Sequence, residues 1–350
     1  MSDSPLPPSA SPYDALLIVS FGGPEGLDDV LPFLENVTRG RNIPRDRLLE
    51  VAQHYNRFGG VSPLNGEIRS LLAKLVQDLN AHGPHLPVYW GNRNWHPLLT
   101  DVVQQMADDG IRRVLAFVTS AFGSYSSCRQ YREDLAHAQQ EVGAEAPQID
   151  VIRRFYNHPG FIESVADRAG AALGELPADG RDKAALIFTA HSIPLAMAKS
   201  SPYQEQLGEA CRLVADAIAR PTWQLAFQSR SGPPSQPWLE PDVKAVVRAV
   251  AAQGDVREVV IVPIGFLHDH MEVIFDLDVE LFELCEELKL TMVRAETPGL
   301  HSRFVQMIRE LIIERTNPGS PRLALGPNGP PPEGSSPLEC RPGCCQVGSR

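Results

Sequence analysis

No stretch of this chain approaches the run of roughly 18 apolar residues that a membrane-spanning helix needs. Positive charge is in short supply. The 32 Lys and Arg against 43 Asp and Glu leave a net charge of −11, which argues against broad electrostatic binding to nucleic acid. Residues 1–12 are rich in Ser and Pro and lack a basic head followed by an apolar stretch. A secretory leader is therefore not expected, and a cytoplasmic location is the default. The 6 cysteines are few and uneven: Cys128, Cys211 and Cys285 are scattered, whereas Cys340, Cys344 and Cys345 crowd the end. A small disulfide-stapled scaffold would spread them through a short chain.

The chain has 350 residues, 43% of them hydrophobic and 21% charged, enough for two globular domains. Short apolar runs alternate with longer amphipathic stretches. Strands are expected at 15–21, 88–91, 114–119 and 149–153, and again at 184–189, 223–228, 259–263 and 291–294. Helical patterns fall between them at 64–80, 98–109, 130–142, 161–176, 203–220, 241–253 and 276–288. Near-continuous apolar strands separated by helices predict parallel sheets covered on both faces. The expected fold is α/β, with two similar Rossmann-like halves, each a parallel four-stranded sheet flanked by helices. The halves are assigned to 13–178 and 179–316, the last helix being able to pack back on the first half. Residues 1–12 and the Pro/Gly/Ser-rich, Cys-containing tail 317–350 are expected to be flexible.

Ligands in such sheets lie beyond the carboxyl ends of the strands, so those ends carry the functional expectations. The first strand runs into Ser20-Phe21-Gly22-Gly23-Pro24-Glu25-Gly26. Its spacing fits neither G-x-G-x-x-G nor G-x-x-x-x-G-K-[ST]. A close approach of backbone to ligand and a plain tight turn both remain open. The third strand runs into a hydroxyl-rich loop, 120–131, with Tyr125, Arg129 and Tyr131. It suits carboxylate groups and a flat aromatic face, or serves as a Ser-rich helix cap. The fifth strand is followed by His191. The sixth leads to Gln228-Ser229-Arg230 and on to Trp238, a rigid wall or a plain loop. The seventh precedes the densest cluster, 265–280, in which Glu272, Asp276 and Glu280 recur every four residues and share a helix face. Such a row repels itself unless cations or solvent compensate. It reads either as a solvated acidic face or as a metal- or proton-handling row. His191 and Glu272 together offer one imidazole and one carboxylate. That pair suits a labile divalent ion such as iron or proton abstraction, and is too small for a closed structural zinc site.

The segments SFGGPEG, ENVTRGR, HYNRFGGVSPLNG, YWGNRNWHP, TAHSIP, FQSRSGPPSQPWLEPDV and VPIGFLHDHMEVIFDLD stand in this order through residues 13–315. In them the chain resembles the ferrochelatase family, and most the actinobacterial branch that is similar to coproporphyrin ferrochelatases. The resemblance implies insertion of Fe(II) into coproporphyrin III to give coproheme, with protoporphyrin IX as the alternative substrate. It implies catalytic and iron-contacting roles for His191 and Glu272, and a proton or cation relay through Asp276 and Glu280. Porphyrin propionates are expected at Ser62 and Tyr131, with Arg39 and Arg41 in the basic loop bordering the cleft. Phe21 stands where some relatives have Tyr, so a metal contact from that side is absent or comes from water, and His268 beside the motif reads as a spare ligand or, in preference, a surface residue. Relatives in this branch also carry a [2Fe–2S] cluster, which needs four ligands. Here Cys340, Cys344 and Cys345 would supply three, with Cys128 favoured over Cys211 and Cys285 for the fourth. The competing expectation is a disordered, redox-exposed tail without a cluster, or one that binds zinc adventitiously. Transient contact with other haem-pathway enzymes is expected, and no membrane span. A different tetrapyrrole chelatase and a non-catalytic porphyrin or haem carrier are the rival functions.

Overall fold

A computed structural model describes residues 11–40, 43–233, 235–331 and 345. Eight strands form two separate parallel sheets. The first has the order β2-β1-β3-β4, from β1 (Ala15–Ser20), β2 (Val88–Asn92), β3 (Arg113–Val118) and β4 (Gln148–Val151). The second repeats that order as β6-β5-β7-β8, from β5 (Ala185–His191), β6 (Gln224–Gln228), β7 (Glu258–Val262) and β8 (Thr291–Arg294). The fold class expected from the sequence is the one observed. In each sheet the direction of winding reverses beside the first strand, between β1 and β3 and between β5 and β7. The crevice that this reversal opens is where α/β sheets bind ligands.

Central strands are buried on both faces. All six residues of β1 are inaccessible, which is why the strand reads as unbroken apolar sequence. Helices α1 (Leu27–Val37), α2 (Arg45–Asn56), α3 (Leu64–His82), α4 (Leu99–Asp108), α5 (Gln130–Val142) and α6 (Pro159–Glu175) belong to the first half. The second half adds helices Tyr203–Ala217, Val243–Gln253 and Phe282–Glu287. Helix Ser302–Thr316 packs against α3 and α6. One continuous core therefore runs through both halves, from Leu16 and Phe117 to Phe188 and Val260, with Phe304, Met307 and Ile308 of that helix between them.

Three features depart from the sequence expectation. Helices α1 and α2, not expected, form a lid whose Phe33, Leu34, Leu48 and Tyr55 pack on Met271 and Phe275 of the second half. The helix expected over 276–288 begins earlier and changes type: Ile274–Leu281 is a π-helix, preceded by Met271–Val273 and followed by Phe282–Glu287. Residues 317–331 form no helix or strand, yet they are strapped to the body. Asn157 and Leu325 exchange hydrogen bonds, and the Asn157 amide also donates to the Gly329 carbonyl at 2.8 Å. Arg153 donates to the Leu323 carbonyl at 2.7 Å while paired with Glu314. Side-chain and backbone hydrogen bonds hold this strap, which is why its composition suggests flexibility.

Candidate active site

Strand β5 delivers His191 and the loop after β7 delivers Glu272, so the pair sits at the crevice of the second sheet. His191 Nδ1 lies 2.5 Å from the Ser192 carbonyl oxygen, and a hydrogen bond there requires Nδ1 to carry the proton. With Nδ1 holding that proton, Nε2 is the ring nitrogen that can take up a further proton toward Glu272 Oε1, 3.6 Å away. The strand end itself is anchored by Tyr203, whose hydroxyl donates to the His191 carbonyl at 3.0 Å. Burial alone would lower the His191 pKa. The Glu272 charge, the hydrogen bonds and the Asp276 charge outweigh it and raise the pKa above the usual value. The Glu272 side chain is 49% exposed; partial desolvation in the crevice pushes its pKa up, but His191 and then His270 pull the carboxyl down to about 2. The two shifts agree on one arrangement, an ionised carboxylate beside an imidazole that readily holds a proton.

The acidic row continues along the π-helix, a geometry that recurs at functional sites. Burial, helped by the Glu272 and Glu280 charges, raises the Asp276 pKa to about 6, against the Ser229 hydroxyl and His191. Ser229 donates to Asp276 from the end of β6, and its backbone is in the left-handed region at φ 62. A non-glycine residue there marks a constrained position. Glu280 ends the row in an ion pair with Lys244 at 2.7 Å. On the other side of the helix Arg294 holds both Asp278 and Asp269. His268 is not the surface residue expected: it is buried at 3% exposure beside Glu67 of α3 at 3.3 Å, because the loop folds under Gly299, where a Cβ would meet its ring at 2.1 Å.

The first half closes the site. The Glu272 charge reaches Tyr55 of α2, whose pKa burial already raises. Phe21 is 36% exposed at the end of β1, its ring edge-on to Phe33. Ser62 is buried against the Gly22–Gly23 turn, where a Cβ on Gly23 would approach its hydroxyl to 2.9 Å. Tyr131 is buried beneath Arg93, whose guanidinium lies 4.5 Å from the Tyr131 ring centroid and 5.8 Å from that of Phe21. Burial raises the Tyr131 pKa, and Arg93 opposes the shift. Arg39 lies on the surface at the end of α1, donating to Asn36 at 2.5 Å, and Arg41 lies outside the described residues. Trp238, half-buried, lies against Gly232, where a Cβ would meet the indole at 2.3 Å. Sequence reasoning did not single out Arg93, Ser229, Tyr203 or His270. Arg93 and Ser229 each follow a strand directly, the one pointer available, and Tyr203 and His270 are placed by tertiary contacts.

Cys128 is half-buried in a single π-turn, Tyr125–Arg129, that Ser124 caps by accepting from the Ser127 amide. Its thiol lies 3.3 Å from the Ser124 carbonyl and 3.5 Å from Arg154 Nη1. The neighbouring Arg129 donates to the Cys345 carbonyl at 3.5 Å. Cys211 and Cys285 are packed in helices, and Cys340 and Cys344 lie outside the described residues. Among the described residues no three His, Cys, Asp or Glu are grouped to hold a metal ion, and no helix is long and apolar enough to cross a membrane.

A family model for ferrochelatase matches residues 13–316. The chain belongs to the ferrochelatase family. It is 52% identical to a ferrochelatase from Rhodopirellula baltica, over 91% of each chain. It is 50% identical to a coproporphyrin III ferrochelatase from Streptomyces coelicolor, covering 96% of this chain and 94% of that one. It is 48% identical to one from Mycolicibacterium smegmatis, covering 95% and 99%. Among solved structures, the fold is similar to SirB from Bacillus subtilis with Fe3+, at a TM-score of 0.52 and 11% identity, over 85% of this chain and 95% of that one. At that identity the likeness speaks for the fold alone.

Proposed function

We propose that the chain inserts Fe(II) into coproporphyrin III to give coproheme, with His191 as proton acceptor and iron contact and Glu272 as its charged partner. The observation that carries this reading is the His191–Glu272 pair, with Nε2 left to face the carboxylate in the crevice. Insertion exchanges two pyrrole N–H protons for one Fe2+, so the site must take up protons beside an arriving dication. A raised imidazole pKa beside an ionised carboxylate favours proton uptake. The same Nε2 lone pair can contact iron when it carries no proton. Asp276, with a pKa of about 6, is poised to take the proton onward. The apolar lid and Phe21 suit a macrocycle, and Ser62, Arg93, Tyr131 and Arg39 suit propionates. A bent macrocycle exposes its pyrrole nitrogens better than a flat one, and the bending would be supplied by contacts elsewhere on the ligand.

The names borne by the relatives favour coproporphyrin III, which has four propionates, over protoporphyrin IX, which has two. The test is anaerobic metallation of each by the purified chain with Fe(II), followed by porphyrin absorption. Metallation of coproporphyrin III alone is the expected result. Preference for protoporphyrin IX would overturn the substrate, and tight binding of both without metallation would point to a carrier.

The reading extends to a [2Fe–2S] cluster on Cys128, Cys340, Cys344 and Cys345. In support, Arg154 Nη1 lies 3.5 Å from the Cys128 thiol, and Arg129 of the same turn donates to the Cys345 backbone carbonyl at 3.5 Å, so Cys345 lies against the turn that carries Cys128. When bound, the cluster would supply one-electron redox chemistry and pin the tail to the body. Iron and acid-labile sulfide in the purified chain, with their loss in Cys345→Ser, are the expected result. Their absence from wild-type protein prepared anaerobically would overturn it.

A further inference from the structure

The outer end of the acidic row differs from the rest of it. Lys244 Nζ lies 2.7 Å from Glu280 Oε2, the two side chains being 33% and 40% exposed. Lys244 stands in the first turn of helix Val243–Gln253, where Asp242 accepts its backbone N–H at 2.9 Å. An ammonium in a first turn opposes the helix dipole, so the placement gains nothing locally and its favourable contact is with Glu280. From the opposite side α2 brings His54, stacked on Phe275 at 3.8 Å and within reach of the Glu280 charge. Arg57 stands 5.8 Å from the same ring. Lys244 is thus the cation in direct contact with Glu280, while α2 packs its His54 ring on the same π-helix.

We propose that Lys244 is a specificity residue that closes the outer end of the acidic row to divalent cations and leaves the row to protons. The inference rests on the proton- and iron-handling reading of the site and deepens it. A carboxylate row with an open end attracts dications. A paired ammonium neutralises the terminal carboxylate and repels a dication twice as strongly as a monovalent ion. A proton passing from His191 through Asp276 to Glu280 need not displace the ammonium, whereas a metal ion must. Iron therefore reaches His191 through the cleft, and the row carries protons away.

Mn(II) titration of the porphyrin-free chain, with free Mn(II) read by electron paramagnetic resonance, tests this. Lys244→Gln is expected to gain one Mn(II) site at least about tenfold tighter than any binding by wild type there. Lys244→Arg is expected to behave as wild type, and Lys244→Gln/Glu280→Gln to lose the added site. Equal binding by wild type and Lys244→Gln overturns the proposal, as does an added site that survives Glu280→Gln. Circular dichroism confirms folding. Should Lys244→Gln fail to fold, Glu280→Gln alone decides: it is expected to leave wild-type Mn(II) binding unchanged, and loss of a wild-type site overturns the proposal. A wild-type chain that metallates no porphyrin would sink the proposed activity while leaving the Mn(II) comparison intact.

Discussion

A proton taken up by His191 has an exit because burial raises the Asp276 pKa to about 6, whereas Glu272 is held at about 2 and stays ionised. Below about pH 6 Asp276 is protonated and cannot accept. Turnover is therefore expected to fall as pH drops through about 6. Ser229 donates to the ionised carboxyl and so lowers this pKa. Ser229→Ala should move the acidic limb of the pH–rate profile upward, and an unmoved limb would contradict the relay. Glu272→Gln removes the charge that raises the His191 pKa, and turnover should fall at least about 100-fold, the low end for loss of acid–base assistance. As candidates, His191 was legible from its place at the end of β5, and Glu272 from the acidic row in the cluster after β7. Ser229 was not, because a left-handed serine carries no pattern and gains its meaning only from the Asp276 carboxyl that folding brings to it.

The π-helix Ile274–Leu281 is the element on which the site turns. Its Asp276 faces the acidic row, while Asp278 is gripped by Arg294, which also holds Asp269 with two bonds at 3.0 and 3.2 Å. Removing Arg294 leaves two carboxylates beside each other without their cation. Arg294→Met should destabilise the fold by about 3 kcal/mol in denaturant titration. Arg294→Lys should recover little, because a single ammonium cannot make both two-pronged contacts. A loss under about 0.5 kcal/mol would show the clamp to be incidental, since ordinary surface changes reach that size. The central strands β1, β3, β5 and β7 were legible because burial on both faces demands near-continuous apolar runs, and the edge strands as short apolar stretches between helical patterns. The lid helices were not: α1 carries Pro32 inside it, which reads as a breaker, and α2 buries only Leu48, Ala52 and Tyr55. A wide π-turn within an amphipathic stretch likewise has no periodicity that separates it from an α-helix.

Across the whole molecule, the halves share one core, in which Phe304 meets Phe117 and Phe155 between the sheets. Phe304→Ala should cost about 3–5 kcal/mol of stability, read as a lowered unfolding midpoint. A fully buried His158 caps α6 by accepting the Gly160 amide through Nδ1. Burial, with Arg153 and Arg303 nearby, drives its pKa down to about 3. The unfolded chain takes up this proton near the usual 6.5 and the folded chain only near 3. Stability is therefore full above 6.5 and lost as pH falls toward 3, by up to roughly 1.4 kcal/mol per unit. His158→Gln should flatten that slope. The strap 317–331, bound through Asn157, Arg153 and Glu209, escaped the sequence because polar bonds to a buried asparagine leave no apolar signature.

The account stands on His191 as the group that meets both the pyrrole proton and the iron. Its most direct test is anaerobic mixing of Fe(II) and coproporphyrin III with wild type and with folded His191→Ala, followed by porphyrin absorption. Rapid metallation by wild type and none above the uncatalysed background by His191→Ala is the predicted result. Near-normal metallation by His191→Ala would contradict the account.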